Sequence, residues 1–406
     1  MCAGFMVAIS SAANGFHIAG IPFEFILFGL TLAGVALFHK HTMGIAVTGM
    51  IVITLYKTLF QEFSVLHHFI GTADHEGEWR ILLNLFGLLT GFALLADHFE
   101  RSHIPDHLPR ILPDDWKGGL LLLFLVAALS TFLDNIAAAM IGGAITHVVY
   151  KGKVHIGYLA AIVAASNAGG AGSVLGDTTT TMMWIDGVSA FDVLHAFVAS
   201  IPAICFFGIF AAKQQQRFQP IMKEEKKESR IDYLRIFIVV LILCGTITTN
   251  ILLEFPAAGV WGAIIIGAFM RKTSWNILPG AVRGSIFLLS LVMCASMMPV
   301  KELPDASWQT AFILGAISSV FDNIPLTKLA LNQGGYDWGL LAYAVGFGGS
   351  MIWFGSSAGV AISNMYPEAK STAKWIKGGW HIAVGYVIGF FVMLLICGWH
   401  PHEPHK

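Results

Sequence analysis

Long apolar stretches alternate with short polar ones along almost the whole chain. A helix that crosses a bilayer needs about 20 mostly apolar residues. Candidate spans fall near 22–38, 43–60, 80–97, 118–132, 136–150, 156–184, 190–212, 233–252, 257–270, 280–299, 308–321, 324–331, 338–363 and 378–399. Several are too short to cross alone, notably those flanking Asp134 and Asp322. Backbone within hydrocarbon must satisfy its own hydrogen bonds, so short interrupted segments fit only as re-entrant hairpins or broken helices buried in protein. The pattern predicts an all-α polytopic membrane protein whose first span lies near Ile21–Phe38. The N-terminus has no basic stretch followed by a short apolar core and a small-residue cleavage site, so residues 1–38 are expected to belong to the mature protein.

Composition agrees. Of 406 residues, 56% are hydrophobic and 12% charged, with a mean hydropathy of +0.70. A soluble domain carries roughly 25% charged residues, so this chain has too little polar surface to cover itself in water. Lipid is its expected solvent. A net charge of −1 gives no footprint for nucleic acid. The cysteines Cys2, Cys205, Cys244, Cys294 and Cys397 are scattered, four of them in apolar stretches, and imply neither a disulfide framework nor a structural metal.

The connection Lys213–Arg235 is the most polar, with Lys213, Arg217, Lys223, Lys226, Lys227, Arg230 and Arg235 among few acids. The positive-inside rule makes it cytoplasmic. Its place near the midpoint divides the chain into an N-terminal transmembrane half (1–212), a linker (213–232) and a C-terminal transmembrane half (233–406). The loop Gln61–Trp79 carries Glu62, Asp74, Glu76 and Glu78 without Lys or Arg and is expected on the opposite face. The histidines of the tail (His400, His402, His405) and of that loop (His67, His68, His75) are expected to be solvated rather than metal-binding.

The two halves repeat each other. Ala128-Leu-Ser-Thr-Phe-Leu-Asp-Asn-Ile136 matches Ala316-Ile-Ser-Ser-Val-Phe-Asp-Asn-Ile324. Further on, Gly169-Gly-Ala-Gly-Ser-Val-Leu-Gly176-Asp-Thr matches Gly348-Gly-Ser-Met-Ile-Trp-Phe-Gly355-Ser-Ser. Two motifs in the same order and at nearly the same separation indicate a duplication. Glycine-interrupted apolar segments at matching positions are the best sequence pointer to the central site of a transporter.

Charge inside these segments needs a reason. An ionised Asp at the bilayer centre costs on the order of 2.5–3.5 kcal/mol on insertion scales, and Asp134, Asp177 and Asp322 all lie between apolar flanks. Interrupted helices supply backbone carbonyls, Asn amides and Ser/Thr hydroxyls that can surround a hard cation with oxygen. Ser130, Asn135, Asn167, Thr178, Ser318, Asn323, Ser350, Ser356 and Ser357 make up that inventory. Sodium is expected at Asp134, Asn135, Asp322 and Asn323. A carboxylate kept from water holds its proton more tightly and gives it up to bound sodium. With alternating access, that competition suffices for antiport. Asp134-Asn135, Asp322-Asn323 and Asp177 also suit helix N-caps, and capping and ion binding can coexist. Lys328, six positions after Asp322, has three readings: a snorkelling side chain, a partner for an intramembrane acid, or a contact for an anionic substrate.

With these motifs the chain resembles the ion transporter superfamily of citrate and dicarboxylate carriers, arsenite pumps and NhaD-type sodium/proton antiporters. It is nearest the NhaD type through Ser130–Asn135, Asn167–Asp177, Ser318–Asn323 and Gly348–Val360, and the likeness runs from about Ile21 to Trp399. The resemblance implies inverted repeats, two re-entrant hairpins and two broken helices around a central ion site, and a scaffold that forms a homodimer. It implies ion-binding or protonation roles for Ser130, Asp134, Asn135, Asn167, Asp177, Ser318, Asp322, Asn323 and Ser356, and more loosely an accessory acid at Glu100. Ala137 and Ala138 replace the hydroxyl expected after the first Asp-Asn, and Lys328 lies outside the family pattern.

Sodium or lithium/proton antiport is the leading expectation, in a bacterial inner membrane and with no cofactor. The alternative is a sodium- or proton-coupled carrier of an anion or oxyacid such as citrate, a dicarboxylate or arsenite. Aspartates at both tips favour a cation; Lys328 favours the anion. No H-E-x-x-H, G-x-S-x-G or Walker motif suggests an enzyme.

Overall fold

The computed structural model describes residues 16–38, 41–61, 63–72, 75–222 and 230–404. Cys2, Glu62, Asp74, Lys223, Lys226, Lys227 and His405, and the side chains of His75 and Glu76, lie outside the described residues.

Among the described residues, twenty α-helices follow one another, beside two minimal hairpins of two-residue strands. The first group is α1 (Phe23–Leu37), α2 (Thr42–Phe60), α3 (Val65–Ile70), α4 (Trp79–Glu100) and α5 (Ile104–Ile111). Next come α6 (Trp116–Leu129), α7 (Asn135–Val149), α8 (Ile156–Ala171), α9 (Thr178–Ile185), α10 (Ala190–Leu194) and α11 (Phe197–Phe218). Beyond the connection lie α12 (Tyr233–Leu253), α13 (Pro256–Met270), α14 (Leu278–Ser296), α15 (Trp308–Ser318) and α16 (Asn323–Gln333). The last are α17 (Trp338–Gly348), α18 (Ser357–Met365), α19 (Thr372–Gly378) and α20 (Trp380–Cys397). Among the described residues, six helical stretches are long and apolar enough to cross a membrane; they contain α2, α4, α11, α12, α14 and α20. The chain is a polytopic α-helical membrane protein.

The expected spans 156–184 and 338–363 each contain an interruption. Residues 172–177 separate α8 from α9, and 349–356 separate α17 from α18. Helices α3, α5 and α19 fall in connections whose polarity hid them from the apolar pattern.

Helices pack in two groups. In one, α1 lies on α2, α2 on α14, α12 on α13, α13 on α4, and α4 on α14. In the other, α11 packs on α6, α8 and α20, α6 on α8, α15 on α17, and α8 on α17. The first groups of each half cross over: α2 meets α14, and α13 meets α4. The same exchange recurs at the interruptions, where α18 packs on α7 and α9 on α16.

The centre of the second group is α8 and α17. Every residue from Gly157 to Ala171 and from Trp338 to Gly348 is buried, so these two segments meet protein on all sides. Small side chains in α8 allow that close approach. Glycine is obligatory at two contacts: a Cβ on Gly176 would lie 1.9 Å from the Ser130 carbonyl oxygen, and one on Gly355 would lie 2.4 Å from that of Ser319.

Contacts at the helix ends fix which termini are neighbours. The start of α6 and the end of α7 adjoin the first part of the connection: a Cβ on Gly118 would touch Ile221, and the Met222 amide donates to the Val149 carbonyl at 2.8 Å. The two ends of the α15–α16 pair also adjoin, through Gln333 Nε2 donating to the Pro304 carbonyl at 2.7 Å. Just beyond α16, the Tyr336 carbonyl accepts from the His402 amide, and His402 Nε2 lies 2.9 Å from Asp192 Oδ2. Asp192 precedes α11, whose other end leads to the connection.

Candidate ion-binding site

Four helices begin at the interruptions, and each is capped by its own side chain. Asp134 Oδ2 accepts from the Ile136 amide at 3.2 Å, Asp322 Oδ1 from Ile324 at 3.0 Å, Asp177 Oδ1 from Thr179 at 3.1 Å and Ser356 Oγ from Gly359 at 3.2 Å. Short polar side chains at N-caps satisfy amides that have no partner within the helix. The capping role weighed from sequence is therefore real, and each carboxylate keeps a second oxygen for other work.

Polar side chains near the caps link the two halves. Asn135 Nδ2 donates to Asn167 Oδ1 at 3.1 Å, and Asn167 Nδ2 donates to Ser350 Oγ at 2.9 Å and Ser356 Oγ at 3.2 Å. Asn323 Nδ2 donates to Asp177 Oδ2 at 3.4 Å. Asn167 and its partners are buried. The residue of α17 that matches Asn167 is Gly346, where a Cβ would lie 3.6 Å from Asp177 Oδ2; the missing side chain leaves room for that carboxylate.

Asp134 and Asp322 face different spaces. Asp134, Asp177 and Thr178 line a cavity of about 270 Å³ closed on its other side by α4 and α14. Ala93, Ala96, Ala137 and Met140 are shared with a wider cavity of about 940 Å³ that reaches Glu100, Arg110 and Met222. Asp322, Ser356 and Ser357 line a third, of about 150 Å³, against α1 and Phe287 of α14.

Charge in the centre follows from this layout. Each helix N-terminus carries roughly half a positive charge and each C-terminus roughly half a negative one. Four of each surround the interruptions, so their sum is near zero and three ionised aspartates would leave the centre negative. A cation or protons can restore the balance.

The expected residues do not all assemble. Ser130 Oγ is buried with no hydrogen-bond partner among the described residues, while Ser318 Oγ donates to the Val345 carbonyl at 2.8 Å. Glu100 is exposed in the wide cavity, away from the aspartates. Lys328 is buried and its Nζ lies 2.9 Å from Glu78 Oε2, so it neither snorkels nor faces the aspartates as a free cation. Of the three readings of Lys328, pairing with an acid is the one observed. Glu78 was legible only as a loop acid.

Sequence reasoning named Thr178 but gave no role to Thr180 and Thr181. Thr180 Oγ1 donates to the Ser173 carbonyl at 2.6 Å, and Thr181 Oγ1 to that of Val174 at 2.8 Å. They satisfy carbonyls that the interruption leaves without helical partners. The run Thr178–Thr181 was the signal. Among the described residues, no three His, Cys, Asp or Glu side chains gather as a transition-metal site would require.

An apolar bundle with charged, interrupted helices at its centre defines the class: a membrane transporter rather than an enzyme. The model of the citrate transporter family matches residues 25–348, and the chain belongs to that family. Curated relatives include the Na(+)/H(+) antiporter NhaD of Vibrio cholerae, 26% identical over 69% of this chain and 70% of its own length. NhaD of Alkalimonas amylolytica is also 26% identical, over 69% of this chain and 68% of its own length. Sodium/proton antiporter 1 of Arabidopsis thaliana is 24% identical over 84% of this chain and 66% of its own length.

Proposed function

We propose that the protein exchanges sodium (or lithium) for protons across the membrane, with Asp134, Asp177 and Asp322 holding either the cation or protons. The observation that carries this reading is the capping of three of the four central helices by carboxylates, linked across the halves by Asn323 to Asp177. Relatives named as sodium/proton antiporters support it.

In this reading, oxygen ligands come from the three aspartates, from Asn135, Asn167 and Asn323, and from Ser130, Ser318, Thr178, Ser350, Ser356 and Ser357. Sodium is small and hard, and these groups together with freed carbonyls suit it. Cation and proton compete because each neutralises the same carboxylates, and alternating access turns that competition into exchange.

The halves 1–212 and 233–406 are inverted repeats, and α6–α7 and α15–α16 are re-entrant hairpins. Support comes from the helix ends: α6 and α7 both adjoin the first part of the 213–232 linker, whereas α15 and α16 both adjoin the face of Asp192 and His402. Helices α1, α2, α4, α12, α13 and α14 form a scaffold that carries a homodimer interface. The basic linker is cytoplasmic and the membrane is a bacterial inner membrane. The wide cavity then opens inward.

Carriage of a carboxylate anion is the second reading, favoured by the name of the matching family. The cation that would face such a substrate, Lys328, is already paired with Glu78. Proteoliposomes holding a pH-sensitive dye and an imposed pH gradient separate the two. Sodium or lithium collapsing the gradient supports exchange; sodium-dependent uptake of labelled citrate or succinate without such collapse overturns it.

A further inference from the structure

The two hairpins are treated unequally. On α7, Met140, Ala144 and His147 are exposed, and Met140 and Ala144 line the wide cavity. On α16, every residue from Asn323 to Leu331 is buried. The position of α16 that matches Met140 in the paired motifs is Lys328. Where one hairpin opens an apolar side chain to solvent, the other holds an ammonium group in the dark, 2.9 Å from Glu78 Oε2.

Glu78 is the N-cap position of α4 and comes from the other packing group. Its end of α4 is the one away from the connection: Arg80 Nη2 donates to the Leu253 carbonyl at the end of α12, while the far end of α4 receives the Asp232 amide at the Ser102 carbonyl. Glu78 and Lys328 side chains are 11% and 2% exposed, so water does little to screen their attraction or to replace either partner. A buried pair of this kind holds firmly while intact and is costly to half-remove.

We propose that the Glu78–Lys328 ion pair is a latch that seals the ion site on the face opposite the connection, and that the pair must part when the site is handed to that face. This rests on the alternating-access reading above. The pair joins a helix that stays with the scaffold to a hairpin that carries Asp322 at its tip. Parting it exposes both charges to water, which is available only when that face opens. The latch therefore couples separation of the two elements to hydration of the path. Met140, at the matching position of α7, carries no charge that could form the same pair.

The test places a cysteine at Thr327→Cys, a fully buried position beside Lys328. A membrane-impermeant maleimide is applied from the face opposite the connection, in vesicles whose orientation is read by protease cleavage at the connection. Background labelling is taken from the protein lacking that cysteine. Slow labelling is expected with the pair intact, at least tenfold faster labelling in Glu78→Gln, and slow labelling again in the reversed pair Glu78→Lys with Lys328→Glu. The neutral pair Glu78→Gln with Lys328→Met, which leaves no buried charge, carries the test if the single variant does not assemble on size-exclusion chromatography. Equal, slow labelling in the assembled Glu78→Gln or neutral-pair protein would overturn the latch. Sodium-driven proton movement is measured in the same vesicles. A wild type that fails to exchange ions while Glu78→Gln still labels fast sinks the antiport reading and leaves the latch; exchange without faster labelling does the reverse.

Discussion

Asn323 and Asp177 come from opposite halves of the chain and meet at 3.4 Å, amide to carboxylate, where α9 and α16 begin. Neither is held there by its own helix alone: Asp177 spends one oxygen on the Thr179 amide and offers the other across the interface. A hydrogen bond to a charged group contributes about 1.5–3 kcal/mol. Asn323→Ala should therefore raise the sodium concentration for half-maximal exchange about tenfold or more, read from dye responses in proteoliposomes. An unchanged half-maximum would remove Asn323 from the site.

Asp134→Asn and Asp322→Asn separate charge from capping. Asn caps a helix about as well as Asp, so both variants should extract, elute and melt like the parent while exchange falls to background. The matching Asp→Ala variants should also lose about 1 kcal/mol of stability with the cap. Normal exchange by both Asn variants would sink the assignment.

Gly176 and Gly280 make a controlled pair. A Cβ at Gly176 would meet the Ser130 carbonyl oxygen at 1.9 Å, whereas at Gly280 it meets nothing within 4 Å. Forcing a group into packed structure costs about 1–3 kcal/mol. Gly176→Ala should lower the melting temperature and reduce exchange, and Gly280→Ala should do neither. Indistinguishable variants would show that the approach of the two interruptions is looser than described.

The tail is tied by a titrating contact outside the membrane. Burial works against the charged ring of His402, but the hydrogen bond to Asp192, that to the His400 carbonyl and the charges of Asp192 and Asp337 outweigh it and hold its pKa above the ordinary value. A raised folded value means the docking contribution is fully present below about pH 6.5, the ordinary histidine value. It is lost as pH rises through the raised one. The His402 amide, bonded to the Tyr336 carbonyl at 3.2 Å, should gain hydrogen-exchange protection, after correction for intrinsic rates, as pH is lowered through that range. His402→Gln should abolish the trend.

Much of this was legible beforehand because lipid imposes strong rules. Apolar runs marked the spanning helices, and the twin Asp-Asn and Gly-Gly motifs marked the interruptions where α7, α9, α16 and α18 begin. Three of the caps were legible too, since Asp134, Asp177 and Asp322 stand just before helix-forming segments, whereas the cap at Ser356 was not read. Partnerships between distant residues were not. Nothing local in Glu78 predicts a buried ion pair with Lys328, because burial of a loop acid depends on how α16 seats against α4. The division of Asp134 and Asp322 between separate cavities likewise depends on the packing of α1, α4 and α14, which no motif encodes.

Competition between sodium and protons at the same carboxylates is the central claim, and proton release on sodium binding measures it most directly. Sodium is titrated into purified protein in weakly buffered detergent solution while pH is recorded. The account predicts saturable acidification, repeated with lithium and lost in the combined Asp134→Asn, Asp177→Asn, Asp322→Asn variant. Sodium binding seen by calorimetry with no proton released at any pH at which the protein stays assembled would contradict it.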